Sequence, residues 1–164
     1  MNRFTFEEAR SLASRVLDVI GPFVEKAEVA GSVRRNRDMV HDVDIVIIPK
    51  PMAFVWPTYL SQALMGIGGK PIRSGDKIME FDIDGRQVDL YRASEDDWGI
   101  QLLRWTGSKE HNIMLCSRAR RMGMKLAVSE GLIKDGKVIA SKIEEDIFQA
   151  LGLPFAPPEE REVN

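Results

Sequence analysis

Three aspartates in two short apolar segments are the residues of this chain best placed to do chemistry. Asp42 and Asp44 lie in Asp42-Val43-Asp44-Ile45-Val46-Ile47-Ile48, and Asp89 lies in Arg86-Gln87-Val88-Asp89-Leu90-Tyr91. Successive side chains of a strand alternate faces, so Asp42 and Asp44 share one face while Val43 and Ile45 take the other. Two residues of strand separate them by about 7 Å, and the two carboxylates repel unless a cation lies between them. A third carboxylate from a neighbouring strand completes an oxygen cage suited to Mg²⁺, a hard ion held by few carboxylates together with substrate phosphates. Upstream, Gly31-Ser32 offers backbone N–H groups and a hydroxyl to an anion at the start of a helix. This is a layout for two-metal phosphoryl transfer. Gly-Ser pairs and Asp-x-Asp are each common in ordinary caps and surface loops. Carboxylates inside apolar strands are not, because burial without a partner is costly.

The elements that must hold these residues can be read from pattern. Thr5 caps a first helix with Glu7 and Glu8 in its first turn and Ala9, Leu12, Ala13, Val16, Leu17 and Ile20 at helical spacing, and Gly21-Pro22 stops it. A short strand over residues 26–30 ends at Gly31, Ser32 starts a basic turn of helix, and 42–48 is apolar enough to be a central strand. A helix over 57–66 closes at Gly66, Gly68, Gly69 and Pro71. Strands 77–83 and 86–93 join at Asp84-Gly85, a strong hairpin signal. This places Asp89 beside the 42–48 strand. Past Ser94 the pattern gives helices over 95–105 and 108–122 around Thr106-Gly107-Ser108, then a small β element over 125–139 with a turn at Asp135-Gly136. Ser141 is expected to cap a last helix to Leu151, with Glu144 at its third position as in a capping box. The tail from Pro154 to Asn164 is expected to be extended and loosely held. The expected division is a lobe of residues 1–93 followed by one of 94–164.

Bulk properties narrow the classes. With 164 residues, 44% hydrophobic and 29% charged, the chain reads as a globular protein able to bury a core. A net charge of −2 and a pI near 5.8 argue against coating nucleic acid through bulk positive charge, so any such contact must be local. The one cysteine, Cys116, excludes an intrachain disulfide and fits a reducing, cytoplasmic setting. No stretch approaches the roughly 20 apolar residues of a membrane span, and no secretory signal is visible.

Gly31-Ser32-x-Arg34-Arg35, Asp42-x-Asp44 and the later Asp89 resemble the palm of DNA polymerase family X, the polymerase β-like nucleotidyltransferases. Trp105-Thr106-Gly107-Ser108-Lys109-Glu110-His111-Asn112 resembles that family's Thr-Gly-Ser turn and following helix. Glu144-Glu145-Asp146-Ile147-Phe148, Leu151-Gly152-Leu153 and Pro157-Pro158-Glu159 resemble its C-terminal end, and Arg3 with Glu7-Glu8-Ala9 resembles the palm's start. The likeness covers nearly the whole chain. It implies an α+β fold: a nucleotidyltransferase palm, with a mixed sheet and flanking helices, followed by a small thumb-like helical lobe with a short β element.

Carried over residue by residue, the resemblance makes Asp42, Asp44 and Asp89 the catalytic and metal-binding residues for two Mg²⁺ ions, with Mn²⁺ as a substitute. Asp89 would also receive the primer hydroxyl proton. Gly31, Ser32 and Arg35, with Arg3 and His41, would contact the phosphates of a dNTP; a solvated basic turn is the plain alternative for Arg34 and Arg35. Arg104, Trp105, Gly107 and Asn112 would lie at the nucleotide. Lys109, Arg118, Arg120 and Arg121 would meet DNA, and Lys125 extends that cluster. The implied partners are a dNTP and primer-template or gapped DNA, with a separate DNA-end-binding or repair protein, the chain itself being a monomer without a membrane.

Several positions depart from the family pattern. Arg104-Trp105 stands where two aromatics are usual, which implies relaxed sugar selectivity. His41 replaces a common glycine, and serves either as a phosphate donor or as a plain exposed histidine. Cys116 stands where relatives carry a basic residue, and its plain reading is a small buried apolar group. The chain is expected to begin at the palm, without the family's N-terminal lyase domain or a C-terminal phosphoesterase domain. Met52, Met65, Met79, Met114, Met122 and Met124 read as gap-filling or surface residues, and Trp56 and Trp98 as packing. Nucleotide transfer to RNA, protein or a small molecule, and a non-catalytic nucleotide-binding subunit, are the competing functions.

Overall fold

A computed structural model describes residues 3–52 and 54–162, so the terminal ends of the sequence reading at Met1, Asn2, Val163 and Asn164 lie outside the described residues. The chain divides into two compact units, one through Ala93 and one from Ser94.

The first unit runs β1 (Phe4–Thr5), α1 (Phe6–Ile20), a 3₁₀ turn (Gly21–Phe23), β2 (Val24–Val29), α2 (Gly31–Arg34), β3 (Met39–Val40) and β4 (Asp42–Pro49). A wide helical turn (Val55–Tyr59) then leads into α3 (Leu60–Gly66), β5 (Lys70–Ser74), β6 (Ile78–Ile83) and β7 (Arg86–Arg92). Thr5 caps α1 as its pattern requires: its hydroxyl accepts from the Glu8 N–H while the Glu8 carboxylate takes the Thr5 N–H at 2.8 Å. Five strands form a mixed sheet in the order β2-β4-β7-β6-β5, in which β4 and β7 are parallel and the other pairings antiparallel. β1 and β3 make a separate two-residue ladder.

Strand alternation splits the sheet into two faces. Val43, Ile45 and Ile47 of β4, Met79, Phe81 and Ile83 of β6 and Val88 and Leu90 of β7 join Leu12, Val16, Leu60 and Leu64 of the helices in one buried core. The opposite face carries Asp42, Asp44, Gln87, Asp89 and Tyr91. The Asp84-Gly85 turn has positive φ at both residues, 55° and 76°, as a two-residue hairpin turn needs.

Two expectations change here. Residues 70–74 form a strand although Pro71 reads as a breaker. β5 is the sheet edge with every residue exposed, where a missing N–H costs nothing on the solvent side. The helix expected over 57–66 starts as an irregular turn, and regular α-helix begins at Leu60.

The second unit contains α4 (Trp98–Thr106), α5 (Lys109–Arg121), β8 (Lys125–Ala127), β9 (Gly131–Lys134), β10 (Lys137–Ala140) and α6 (Glu144–Ala150). β8, β9 and β10 form an antiparallel sheet. Ile100, Leu103, Leu115, Ala119, Leu132, Ile147, Phe148 and Leu151 make its core. α4 begins at Trp98, three residues later than its periodicity suggests, because Ser94 gives its N–H and hydroxyl to the Asp97 carboxylate in a turn.

The expected capping box at Ser141 does not form. Ile143 is the N-cap of α6 without a side-chain bond, Glu144 is its first residue, and the Ser141 hydroxyl is buried without a partner. Glu144 is instead taken by Arg161, Nη1 to Oε1 at 2.7 Å, with both side chains buried. That pair also corrects the reading of a loosely held tail. The Arg161 guanidinium lies 5.3 Å from the ring centres of both Phe148 and Phe155, and its Nε donates to the Ala156 carbonyl.

Candidate active site

The β4–β7 register sets three rows of residues on one sheet face: Asp42 opposite Gln87, Asp44 opposite Asp89, and Val46 opposite Tyr91. Each of Asp42, Asp44 and Asp89 offers a carboxylate oxygen, and these oxygens lie within 4.8 Å of one another. The parallel pairing achieves this by placing Asp44 and Asp89 on adjacent strands in register, with Asp42 two residues along. Glu80 of β6 stands opposite Asp89 on its other side.

Proximity and burial push all three carboxyls the same way. Burial raises Asp44 most, and the charge of Asp42 adds to it, bringing Asp44 up to about 7. Asp42 is raised by burial, offset in part by the charges of His41 and Arg35. Asp89 is raised by burial, with the Gln87 hydrogen bond opposing and the charges of Asp42 and Glu80 reinforcing. A cluster of carboxylates that resist ionising together is a donor set that a divalent cation satisfies, and hard oxygen ligands suit Mg²⁺, Ca²⁺ or Mn²⁺. The residues present therefore fit a divalent metal.

Sequence reasoning missed two neutral donors that hold the triad. Gln87 Nε2 donates to Asp89 Oδ1 and Oδ2 at 2.9 and 3.1 Å. The Tyr91 hydroxyl lies 3.0 Å from Asp44 Oδ1 and 3.3 Å from Asp89 Oδ2. Burial and the two carboxylates keep the proton on that phenol. The signal was available, since Gln87, Asp89 and Tyr91 alternate along one strand and must share a face.

The Gly-Ser turn lies against the triad. Gly31 has φ +58°, and a β-carbon there would collide with Asp44 Oδ2, so the close approach requires glycine. The Ser32 hydroxyl is buried without a hydrogen-bond partner, an orphaned donor that an anionic ligand would satisfy. Arg35 is close enough for its charge to act on Asp42 and Asp44. Arg34 turns away to Glu28 at 3.1 Å. Arg3 Nε donates to Nε2 of the exposed His41 at 3.1 Å, so these two candidates sit together.

The remaining candidates lie in the second unit. Ser108 caps α5 by accepting from the His111 N–H, and its hydroxyl donates to the Arg161 carbonyl at 2.7 Å. Gly107 has φ +72°, and the Gly107–Ser108 peptide is cis. Asn112 Nδ2 donates to the Arg104 carbonyl at 2.9 Å while its Oδ1 is buried without a partner. The Arg104 guanidinium lies 4.4 Å from the centre of the Trp105 ring, whose Nε1 donates to Gln101. Lys109, Arg120 and Arg121 are exposed. Arg118 departs from the basic cluster, because its guanidinium donates to the carbonyls of Leu151 and Gly152 at the end of α6. Cys116 is half-buried as a free thiol.

The DNA polymerase beta thumb domain matches residues 101–162, most of the second unit. Over 98% of its length the chain is 28% identical to the DNA polymerase/3'-5' exonuclease PolX of Bacillus subtilis, and covers 29% of that protein. DNA polymerase IV of Saccharomyces cerevisiae is 33% identical over 48% of this chain and 13% of its own length. The repair DNA polymerase X of African swine fever virus, isolate Pig/Kenya/KEN-50/1950, is 25% identical over 80% of this chain and 78% of its own. The chain thus spans less than a third of the Bacillus and yeast relatives it matches. One alignment running almost end to end and a thumb match over most of the second unit agree: the chain is similar to DNA polymerases of family X along nearly its whole length.

Proposed function

We propose that this chain is the palm and thumb of a DNA-directed DNA polymerase that fills gaps in DNA repair. It would transfer a nucleoside monophosphate from a dNTP to a primer 3′-hydroxyl. The observation that carries the reading is the in-register Asp42, Asp44 and Asp89 triad with oxygens within 4.8 Å. Asp42, Asp44 and Asp89 would hold two Mg²⁺ ions, or Mn²⁺ in their place. When bound, such ions lower the pKa of the attacking hydroxyl and neutralise charge on both sides of an in-line displacement.

The chain's own residues divide the remaining work. Asp89, fixed by Gln87 and Tyr91, is the acceptor for the 3′-hydroxyl proton. The O3′–Pα bond forms, the bond from Pα to the bridging oxygen breaks, and pyrophosphate leaves. Ser32 and Arg35 would bind the β- and γ-phosphates, with Gly31 allowing the close approach and Arg3 and His41 as further donors. Asn112, fixed on the Arg104 carbonyl, would meet the new base pair beside Gly107 and Trp105. Lys109, Arg120 and Arg121 would contact the DNA backbone, a local basic surface on an acidic chain. Arg104 in place of a ring would leave the sugar pocket more open to a 2′-hydroxyl.

Primer extension on gapped and recessed DNA with Mg²⁺ or Mn²⁺, each nucleotide supplied separately, tests this reading. Template-matched addition that Asp42→Asn abolishes is expected. Addition without regard to template, or transfer only to RNA, protein or a small molecule, would overturn it in favour of another nucleotidyltransferase. No transfer to any acceptor would favour a non-catalytic subunit.

A further inference from the structure

Tyr91 is a buried hydroxyl touching two members of the triad, Asp44 as well as Asp89. It follows Asp89 by two residues and therefore shares its sheet face. Of the three rows on that face, the Asp42–Gln87 row is partly open, whereas the Val46–Tyr91 row is buried. Tyr91 thus reaches the carboxylates from behind, with its oxygen 3.0 Å from Asp44 Oδ1 and 3.3 Å from Asp89 Oδ2. Asp42 stands on the side from which an ion would enter. A phenol has one proton and cannot donate fully to two carboxylates at once. What it can do is tether both, opposing the repulsion that would otherwise splay them.

We propose that Tyr91 is a positioning residue of the divalent-ion site, holding Asp44 and Asp89 from the buried side at the spacing an ion requires. The proposal rests on the reading of the triad as a metal site. Partners of this kind, which orient a ligand through its free oxygen, typically govern metal affinity tenfold to a hundredfold. A phenylalanine keeps the ring and its packing and removes only the tether.

Two measurements without nucleotide or DNA test it on the whole chain. The first is Mn²⁺ affinity by electron paramagnetic resonance for wild type, Tyr91→Phe and Asp89→Asn. Binding by wild type that Tyr91→Phe weakens about tenfold or more is expected, with an unchanged far-ultraviolet circular dichroism spectrum. Equal or tighter binding in Tyr91→Phe overturns the role of Tyr91 alone. Absence of binding in wild type, or binding that Asp89→Asn leaves intact, overturns the metal-site reading beneath it.

The second needs no change at position 91. The chain has two tyrosines, Tyr59 and Tyr91, so 3-fluorotyrosine labelling gives two ¹⁹F resonances, assigned with Tyr59→Phe. Mg²⁺ is expected to move the Tyr91 resonance and leave that of Tyr59 in place. A Tyr91 resonance indifferent to Mg²⁺ overturns the proposal even if Tyr91→Phe fails to fold.

Discussion

Asp44 and Asp89 face each other across the one parallel strand pairing of the five-stranded sheet, though 45 positions separate them in the chain. Replacing Asp89 by Asn keeps its shape and its place in β7, and on the proposed function removes a metal ligand and the proton acceptor. Turnover in primer extension is expected to fall at least about a hundredfold, the lower range for a general base. Nucleotide binding should be weakened less, because Asp42 and Asp44 remain. Near-normal kcat in a folded Asp89→Asn protein would refute the assignment.

The raised carboxyl of Asp44 gives a pH prediction. An unfolded aspartate titrates near 3.9, and the folded one is pushed up to about 7. Between these values the folded state binds more protons than the unfolded, so this group's contribution to stability falls as pH rises, and levels off above about 7. Asp44→Asn imitates the neutral form at every pH. Metal-free wild type and Asp44→Asn should therefore be similar in urea at pH 4, with wild type less stable at pH 8. A wild type that gains on Asp44→Asn as pH rises without metal would contradict this.

Gly31→Ala combines a left-handed backbone with a collision against Asp44. The backbone alone costs about 1–2 kcal/mol, and the β-carbon would displace a carboxylate oxygen of the triad. Divalent-ion binding should suffer far more than the melting temperature. Titration of Mn²⁺ into the folded variant checks this, and unaltered affinity would argue against the tight packing of this turn.

Arg161 is the most deeply buried charge of the described residues, and Glu144 is its counter-ion. Arg161→Met removes the guanidinium from that buried carboxylate, an expected cost of about 3–5 kcal/mol. The paired change Arg161→Met with Glu144→Met should recover much of it. Denaturant unfolding of the two variants measures the difference, and equal losses would show that the tail is held by its apolar contacts.

On the proposed function, Arg104, stacked on Trp105, would stand where a second ring would crowd the sugar. Arg104→Tyr should raise the ratio of kcat/KM for a deoxynucleotide over its ribonucleotide by about tenfold, the order one added steric contact supplies. An unchanged ratio on a single gapped template would leave sugar choice to the backbone.

Local rules made much of this legible. Thr5 with Glu8 and Asp84-Gly85 are short-range signals whose partners lie within four residues, and both formed. The triad was legible because apolar strands announce themselves and carboxylates inside them stand out. What escaped depended on distant partners. Ser141 and Glu144 carry the spacing of a capping box, but Glu144 is claimed by an arginine 17 positions on. Pro71 breaks a pattern locally, yet an edge strand tolerates it. Arg118 reads as one more cation in a basic run, whereas the end of α6 supplies it with carbonyls. Tyr91 carries no charge, and its contact with Asp44 spans 47 positions of the chain.

The parallel pairing of β4 with β7 also bears on how the chain reaches its native state. The hairpin of β6 and β7 can close locally, but β4 must then be captured across a long intervening segment, an entropically slow step. Until that capture, Asp42 and Asp44 lie far from Asp89 and no compact set of oxygens exists. A divalent ion would then meet its site only after the central strands have joined. It would leave the refolding rate nearly unaltered and act by slowing unfolding, so that the protein gains lifetime rather than speed.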